Sequence, residues 1–238
     1  MTGVTVRALE PGDWPLLERL FGANGACGGC WCMHWRVATG GKAWDAVKGA
    51  PNRAAMKRLV GDGAVHAVLA LADETPVGWC SFGPKPDFPR LAKSRMARNS
   101  ARPDAWAVAC FFVARGWRDR GVGRRLLDAA GAVAFARGAS VLEGYPVAPK
   151  GAGRMPDLFA WTGTIRLFEA AGFRAQAVPD GARPIYLRTP GQPGILTTDG
   201  CGTAPIHGEA AGLAVRRGRR RSPGTRRRAR PRRRGGLA

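Results

Sequence analysis

A strand, a glycine-containing turn and a helix follow one another in the middle of the chain, and this order most constrains its fold. Residues 106–113 are a near-continuous apolar run of strand length, as expected of a central strand covered on both faces. A turn with Arg118-x-x-Gly121-x-Gly123 follows, and apolar side chains then recur at helical spacing to about Arg137. This order predicts an α/β domain.

The turn has the chemistry of an anion site. Glycines let a ligand approach the backbone, and the first turn of a helix offers unpaired N–H groups at its positive dipole end. Charge beside those donors comes from Arg118, Arg120, Arg124 and Arg125. The combination predicts a multiply charged anion, most naturally a pyrophosphate, although the turn lacks the Gly-Lys-Ser/Thr of a Walker loop and the three glycines of a dinucleotide fold. The alternative is that the glycines only allow tight packing and the arginines form a solvated face.

Residues 113–127 resemble the acetyl-CoA motif of the GNAT N-acetyltransferases, in which a strand ending in Val leads through Arg/Gln-x-x-Gly-x-Gly/Ala into a helix. Residues 168–173, Phe-Glu-Ala-Ala-Gly-Phe, resemble the second signature of that family. The resemblance extends in element order over residues 3–188. It implies the α/β fold of the GNAT acyl-CoA N-acyltransferases, a mixed and mostly antiparallel central sheet flanked by helices and splayed at its middle.

The resemblance implies that acetyl-CoA is the co-substrate. Backbone groups of Phe111 and Val113 would pair with its pantetheine arm as if it were an added strand, and the Val113 N–H would stabilise the oxyanion. The turn would hold the pyrophosphate through Arg118, Arg120, Gly121, Val122, Gly123 and Arg124. Asp119 stands where the family often has Gly, which places a carboxylate near the phosphates unless its side chain caps the helix.

The usual proton donor of the family is missing. Many members use a Tyr in the second signature, and here that position is Phe168. Glu143 and Tyr145 lie two residues apart on a predicted strand and so share a face, which makes them candidates for the proton acceptor and the proton donor. The alternative for this pair is a buried structural role. Cys110 is a further candidate, as an acid or a covalent relay, against the alternative of an inert buried thiol.

Four potential zinc ligands lie within eight residues: Cys27, Cys30, Cys32 and His34. The pattern is more compact than the paired knuckles of zinc sites, so we predict no metal here. The interleaved Trp31 and Trp35 favour a packing role, either structural or as a hydrophobic wall of an acceptor pocket, with zinc binding and redox chemistry as the alternatives.

The basic charge of the chain is unevenly distributed. There are 38 Lys and Arg against 17 Asp and Glu, and from Thr189 onward there are 12 Arg but only two acidic residues, with no apolar periodicity. We therefore predict one domain over residues 1–188 and a disordered Gly/Pro/Arg-rich basic tail over residues 189–238. No apolar run reaches membrane length, the N-terminus has no secretory pattern, and the cysteines do not form a secreted framework, which predicts a cytoplasmic protein without a membrane partner.

The resemblance to the GNAT family implies an N-acetyltransferase that moves an acetyl group from acetyl-CoA to a primary amine of a small molecule or peptide by direct attack, as a monomer or homodimer. The scarcity of acidic residues argues against polycationic acceptors. One alternative is a non-catalytic acyl-CoA-binding module whose Arg-rich tail associates with nucleic acid. Another is the use of a longer acyl-CoA.

Overall fold

The computed structural model describes residues 3–38, 40–100, 102–147 and 160–192. Seven strands in this part of the chain form one sheet in the order β1-β2-β3-β4-β5-β7-β6. They are β1 Val4–Ala8, β2 Ala67–Ala72, β3 Thr75–Pro84, β4 Trp106–Val113, β5 Leu142–Gly144, β6 Arg174–Ala175 and β7 Tyr186–Arg188. All neighbours pair antiparallel except β4 and β5, which are parallel. The expected mixed, mostly antiparallel sheet is confirmed.

Helices cover both faces of the sheet. They are α1 Trp14–Phe21, α2 Gly41–Val47, α3 Ala50–Gly61, α4 Pro89–Ala92, α5 Val122–Ala136 and α6 Ile165–Ala170. One face is covered by α5, whose buried side chains pack on β2, β3 and β4, and Gly78 of β3 lets Val122 and Leu126 approach the sheet closely. The other face is covered by α1 and α3, which pack around Trp79 of β3.

A part-buried ion pair fixes the start of the domain. Both nitrogens of the Arg7 guanidinium donate to the carboxylate of Asp13, at 2.6 and 2.7 Å, and the Glu10 N–H donates to the same carboxylate at 2.8 Å. Burial acts to raise the pKa of Asp13, but these hydrogen bonds and the Arg7 charge outweigh it and hold the pKa below its usual value. The contacts tie β1 to the entrance of α1.

The sheet opens between its two parallel strands. Pairing of β4 with β5 ends at Val108 and Gly144, whereas β4 continues to Val113. The register of β4 against β3 also shifts there, because Ala109 is an extra residue in β4. Such a bulge bends a strand and increases its twist, so the two parallel strands diverge and leave a gap at the predicted splay.

The predicted basic tail lies outside the described part of the chain from residue 193 onward. Residues 148–159 also lie outside it. The domain boundary at residues 188 and 189 therefore stays a prediction. Among the described residues, no helix combines the length and the apolar character needed to cross a bilayer.

Candidate active site

A cleft of about 890 Å³ lies where β4 ends and α5 begins. Its lining comes from four regions: the loop after α1, the end of α2 with the residue after it, the β4–α5 segment, and residues 160–167. The polar and aromatic side chains among its lining residues are Cys27, Cys30, Cys32, His34, Trp44, Lys48, Cys110, Phe111, Phe112, Trp117, Arg118, Asp119, Arg124, Trp161 and Thr164. The volume suits a cofactor-sized ligand.

One end of the cleft is the glycine turn. Gly121 is the N-cap of α5 and has a φ of 76°, a left-handed value that glycine adopts without strain. A Cβ at Gly121 would meet nothing within 4 Å, and one at Gly123 would lie 3.7 Å from Leu167, an ordinary contact. Tight packing therefore does not account for these two glycines. What both of them do is line the cleft in front of the N–H groups of the first helical turn.

The four arginines of the turn have different surroundings. Arg118 and Arg124 line the cleft, and the Arg118 Nε also donates to the Val113 carbonyl at 3.0 Å, which ties the turn to the end of β4. The Arg120 guanidinium lies 5.4 Å from the centre of the Trp117 ring, and the Arg125 guanidinium donates to the Val4 carbonyl of β1. Seven of the eight residues predicted to bind the cofactor line the cleft, and Arg120 is the exception.

The gap between β4 and β5 forms the middle of the cleft. The Phe111 N–H points into it and donates to the Trp161 carbonyl at 2.7 Å. Because alternate residues of a strand direct their backbone groups to the same side, the Val113 N–H faces the same gap. The Phe111 N–H thus has a partner within the protein, which leaves the Phe111 carbonyl and the Val113 N–H as the edge that a ligand could meet.

The far end of the cleft is aromatic. The His34 ring makes edge contacts with Trp35, Trp44 and Trp161, at centroid distances of 4.6, 5.2 and 4.8 Å. Burial, together with the charges of Arg90 and Lys48, lowers the pKa of His34 to about 4. The imidazole is therefore uncharged at neutral pH and has a lone pair able to accept a proton.

Cysteine thiols line the wall between His34 and β4. The Cys32 Sγ lies 2.7 Å from the Cys110 Sγ, and Cys27 and Cys30 line the cleft beside them. The hydrogen bond to Cys110 and burial raise the pKa of Cys32, and the hydrogen bond to Cys32 and burial raise that of Cys30. Within the described ranges, no group of three or more His, Cys, Asp or Glu is arranged to hold a metal ion.

The tryptophans of the cysteine motif do not form the wall of the cleft. Trp31 is buried and stacks on Trp14 at 5.7 Å, within the core between the sheet and α1. Trp35 is also buried, and its indole N–H donates to the Ala109 carbonyl at 3.1 Å. Of the two packing roles predicted for these residues, their burial therefore supports structural packing and not the wall of the described cleft. Trp44 and Trp161, which the sequence analysis did not assign to the wall, line the cleft instead.

Glu143 and Tyr145 lie outside the described lining of the cleft. Glu143 is fully buried on β5, where Oε2 accepts from the Lys85 ammonium at 2.6 Å and from the Ser100 hydroxyl at 2.9 Å. Tyr145 is also buried, and burial and the Glu143 charge raise its pKa. It lines a separate cavity of about 220 Å³ together with Lys85 and Ser100. Their catalytic role stays a prediction, and these surroundings are those of a structural pair.

The comparisons with known proteins agree with this geometry. Residues 33–147 match the model of the acetyltransferase (GNAT) family. This part of the chain belongs to the GNAT acetyltransferase family. This match supports an N-acetyltransferase with acetyl-CoA as its co-substrate. Comparison with curated proteins gives no significant match.

Solved structures of other acetyltransferases are similar to the chain. The PaiA N-acetyltransferase of Thermoplasma acidophilum, in complex with coenzyme A, is 12% identical, with 79% of this chain and 99% of that chain covered and a TM-score of 0.45. The ribosomal-protein-alanine N-acetyltransferase of Brucella melitensis is 20% identical, with coverages of 63% and 83% and a TM-score of 0.38. An N-acetyltransferase of Staphylococcus aureus is 13% identical, with coverages of 79% and 98% and a TM-score of 0.41. Sequence identities and TM-scores this low say nothing about the substrate of this chain.

Two departures from the GNAT pattern have a visible structural setting. Phe168, at the position of the usual Tyr, is fully buried, and its ring lies where a Cβ at Gly144 would be, so it packs on the backbone of β5. Asp119 has a φ of 58°, which explains why glycine suits this position of a GNAT turn. The helix N-cap residue is Gly121, and a capping role for the Asp119 side chain stays a prediction.

Proposed function

We propose that this GNAT enzyme binds acetyl-CoA along the whole cleft and transfers its acetyl group to a primary amine by direct attack. The observation that supports this most is the continuity of the cleft. A single cavity joins the N-terminus of α5, the gap between β4 and β5, and the aromatic wall around His34. A pyrophosphate, a pantetheine arm and an acceptor would each have a region of matching chemistry.

The phosphate end would act through main-chain donors and charge. The first-turn N–H groups of α5 point into the cleft beside Arg118 and Arg124, and Gly123 leaves room for the phosphates. Arg120 would contribute less, because its guanidinium lies over Trp117. The Phe111 carbonyl would accept from a pantetheine amide N–H. The Val113 N–H would donate to the thioester carbonyl oxygen and so stabilise the oxyanion of the tetrahedral intermediate.

His34 would accept the proton of the attacking amine. The described lining residues include one imidazole, that of His34, and one carboxylate, that of Asp119, which belongs to the phosphate turn. The imidazole is held by three tryptophan edges at the opposite end, and its low pKa keeps it uncharged. Direct transfer needs no covalent enzyme intermediate, since an uncharged amine attacks the thioester itself.

The acceptor end favours an amine with apolar or anionic groups. The described walls there consist of thiols, Trp44, Trp161 and the cation Lys48, and they contain no carboxylate. A polycation would find no partner charge on these walls, whereas a ring could stack on an indole and an anionic group could pair with Lys48. Aromatic amines, amino acids and peptide N-termini are the small-molecule and peptide acceptors that fit.

Release of the CoA thiol from acetyl-CoA with a panel of such amines tests the proposal. We expect His34→Gln to lower kcat about 100-fold, the usual size of a general-base effect, without changing the Kd for acetyl-CoA. His66→Gln is the matched control, because His66 packs against Trp106 outside the described cleft lining. A His34→Gln variant with unchanged kcat would exclude His34 as the proton acceptor.

The same assay separates the alternatives. Binding of acetyl-CoA without turnover on any amine, together with salt-sensitive RNA binding, would support the non-catalytic module with an Arg-rich tail. A higher kcat/KM with a longer acyl-CoA than with acetyl-CoA would mean that the enzyme transfers that longer acyl group. The match to an acetyltransferase family favours acetyl transfer over both.

A further inference from the structure

Two cysteines from distant parts of the chain meet on the wall of the cleft. Cys32 lies in the loop after α1 and Cys110 on β4, and their sulfur atoms are 2.7 Å apart. This separation is shorter than a van der Waals contact between two sulfurs and longer than a disulfide bond. The two thiols are therefore already placed for bond formation.

The backbone of the loop is strained where it presents Cys32. Trp31 and Cys32 have φ values of 45° and 52°, in the left-handed region that side chains other than glycine rarely adopt. A residue in this region is energetically unfavourable and persists only where its surroundings fix it. Here the Trp31 N–H donates to the Gly25 carbonyl at 3.0 Å, and the Met33 N–H donates to the Cys30 carbonyl at 2.8 Å. The loop thus holds the Cys32 thiol against β4 at an energetic cost.

Access to the pair comes from the cleft. Cys32 is largely buried, Cys110 is half-buried, and both line the cavity that we assign to acetyl-CoA. A small oxidant that enters the cleft can therefore reach at least one of the sulfurs. Cys80 on β3, by contrast, is fully buried and does not line the described cleft.

We propose that Cys32 and Cys110 form an intramolecular disulfide when a peroxide enters the cleft. One thiol attacks hydrogen peroxide as its thiolate, the O–O bond breaks, and a sulfenic acid and one water result. The second thiol then displaces the hydroxyl as a second water, so that the two sulfurs lose two electrons and two protons in all and the peroxide is reduced. The raised pKa of Cys32 keeps the thiolate scarce, so the reaction is slow at neutral pH.

The disulfide would act on the acetyl transfer that we propose for this cleft. The bond would join Cys32, two residues before His34, to β4. Because it would draw the two sulfurs to a bonded distance, it would move the segment that carries the imidazole. A shift of this kind is expected to lower turnover about tenfold or more, since small misplacements of reacting groups are costly. Reduction by dithiothreitol would restore the activity.

Peptide mapping of the full chain tests the proposal. The folded protein is incubated with hydrogen peroxide, the remaining thiols are blocked with N-ethylmaleimide in denaturant, and the digest is analysed by mass spectrometry without reduction. We expect a linked pair of peptides that contain Cys32 and Cys110, with Cys80 alkylated. The cross-link must persist in Cys27→Ser, because the exposed Cys27 takes no part in the bond.

Two results would overturn the proposal. One is that Cys32 and Cys110 are both alkylated in a sample in which the exposed Cys27 is oxidised. Oxidation of Cys27 in the same sample shows that the peroxide was active. The other is a bond from Cys32 to Cys27 or Cys30 instead. The mapping does not depend on turnover, so a protein that forms the disulfide but releases no thiol from acetyl-CoA would contradict the proposed function and leave this inference standing.

Discussion

Glu143 shows how burial decides the role of a single carboxylate. Its partner Lys85 is 15% exposed, and the two ends of the pair are 2.6 Å apart. Glu143→Gln would leave the ammonium buried without a counter-charge, and we expect the free energy of unfolding to fall by about 3 kcal/mol. Chemical denaturation measures this loss. The kcat of the folded variant should stay close to that of the wild type, because neither residue lines the described cleft.

A double variant provides the control for that prediction. Lys85→Met combined with Glu143→Leu removes both charges, and its stability should recover much of the loss, as in other buried pairs replaced by apolar residues. A Glu143→Gln variant with normal stability but a kcat at least about tenfold lower would instead assign Glu143 to the chemistry.

His34 should make the stability of the protein sensitive to mild acid. Its pKa is about 4 in the folded state and 6.5 in an unfolded chain. Between these values the unfolded state binds a proton that the folded state does not, so stability is complete above about pH 6.5 and declines as the pH falls towards about 4. Urea midpoints measured over this range should fall less in His34→Gln than in the wild type. Parallel curves for the two proteins would contradict the buried, uncharged state of the imidazole.

The sequence predicted residue types better than residue neighbours. Phe111, Gly121 and Gly123 follow from the motif, and all three line the cleft. Glu143 was predicted to be the proton acceptor because strand alternation places it on the same face as Tyr145. Its ion pair with Lys85 joins residues 58 positions apart in the sequence, and periodicity cannot indicate such a contact. His34 was considered only as a metal ligand, because its place between three tryptophans depends on tertiary packing.

At the scale of elements, the local signals were strong where strand and helix patterns were regular. The apolar run over residues 106–113 is β4 to the residue, and Thr164 caps α6 by accepting from the Leu167 N–H, as its position before the helix indicates. Helix α2 was not foreseen, because only Trp44 of its seven residues is buried and so no apolar periodicity marks it. The opening of the sheet also depends on a bulge at Ala109, which a buried apolar strand does not reveal in its sequence.

The turn before α5 permits a test with two neighbouring arginines. Arg118 lines the cleft, whereas the Arg120 guanidinium lies over the Trp117 ring. We expect Arg118→Gln to raise the Kd for acetyl-CoA about tenfold, the worth of one charge-assisted hydrogen bond, and Arg120→Gln to raise it much less. Calorimetric titration of both variants measures the difference. Equal losses would mean that the two side chains serve the phosphates alike.

At the scale of the whole molecule, the described domain and the basic tail are expected to be independent. The sheet and its cores are complete within the described residues up to 192, and the cleft draws on none beyond Leu167. A chain that ends at residue 190 should keep the fold and the acetyl-CoA affinity of the full protein, as circular dichroism and titration would show. Loss of soluble protein on truncation would contradict the predicted boundary at residues 188 and 189.

The account as a whole rests on the main-chain donors at the start of α5 and along β4, which we assign to a thioester-bearing coenzyme. Isothermal titration calorimetry of the full-length, folded protein with acetyl-CoA tests this assignment most directly. We predict a saturable heat with one acetyl-CoA bound per chain. Titrations that give no heat of binding with acetyl-CoA or with any longer acyl-CoA, at several temperatures, would contradict it.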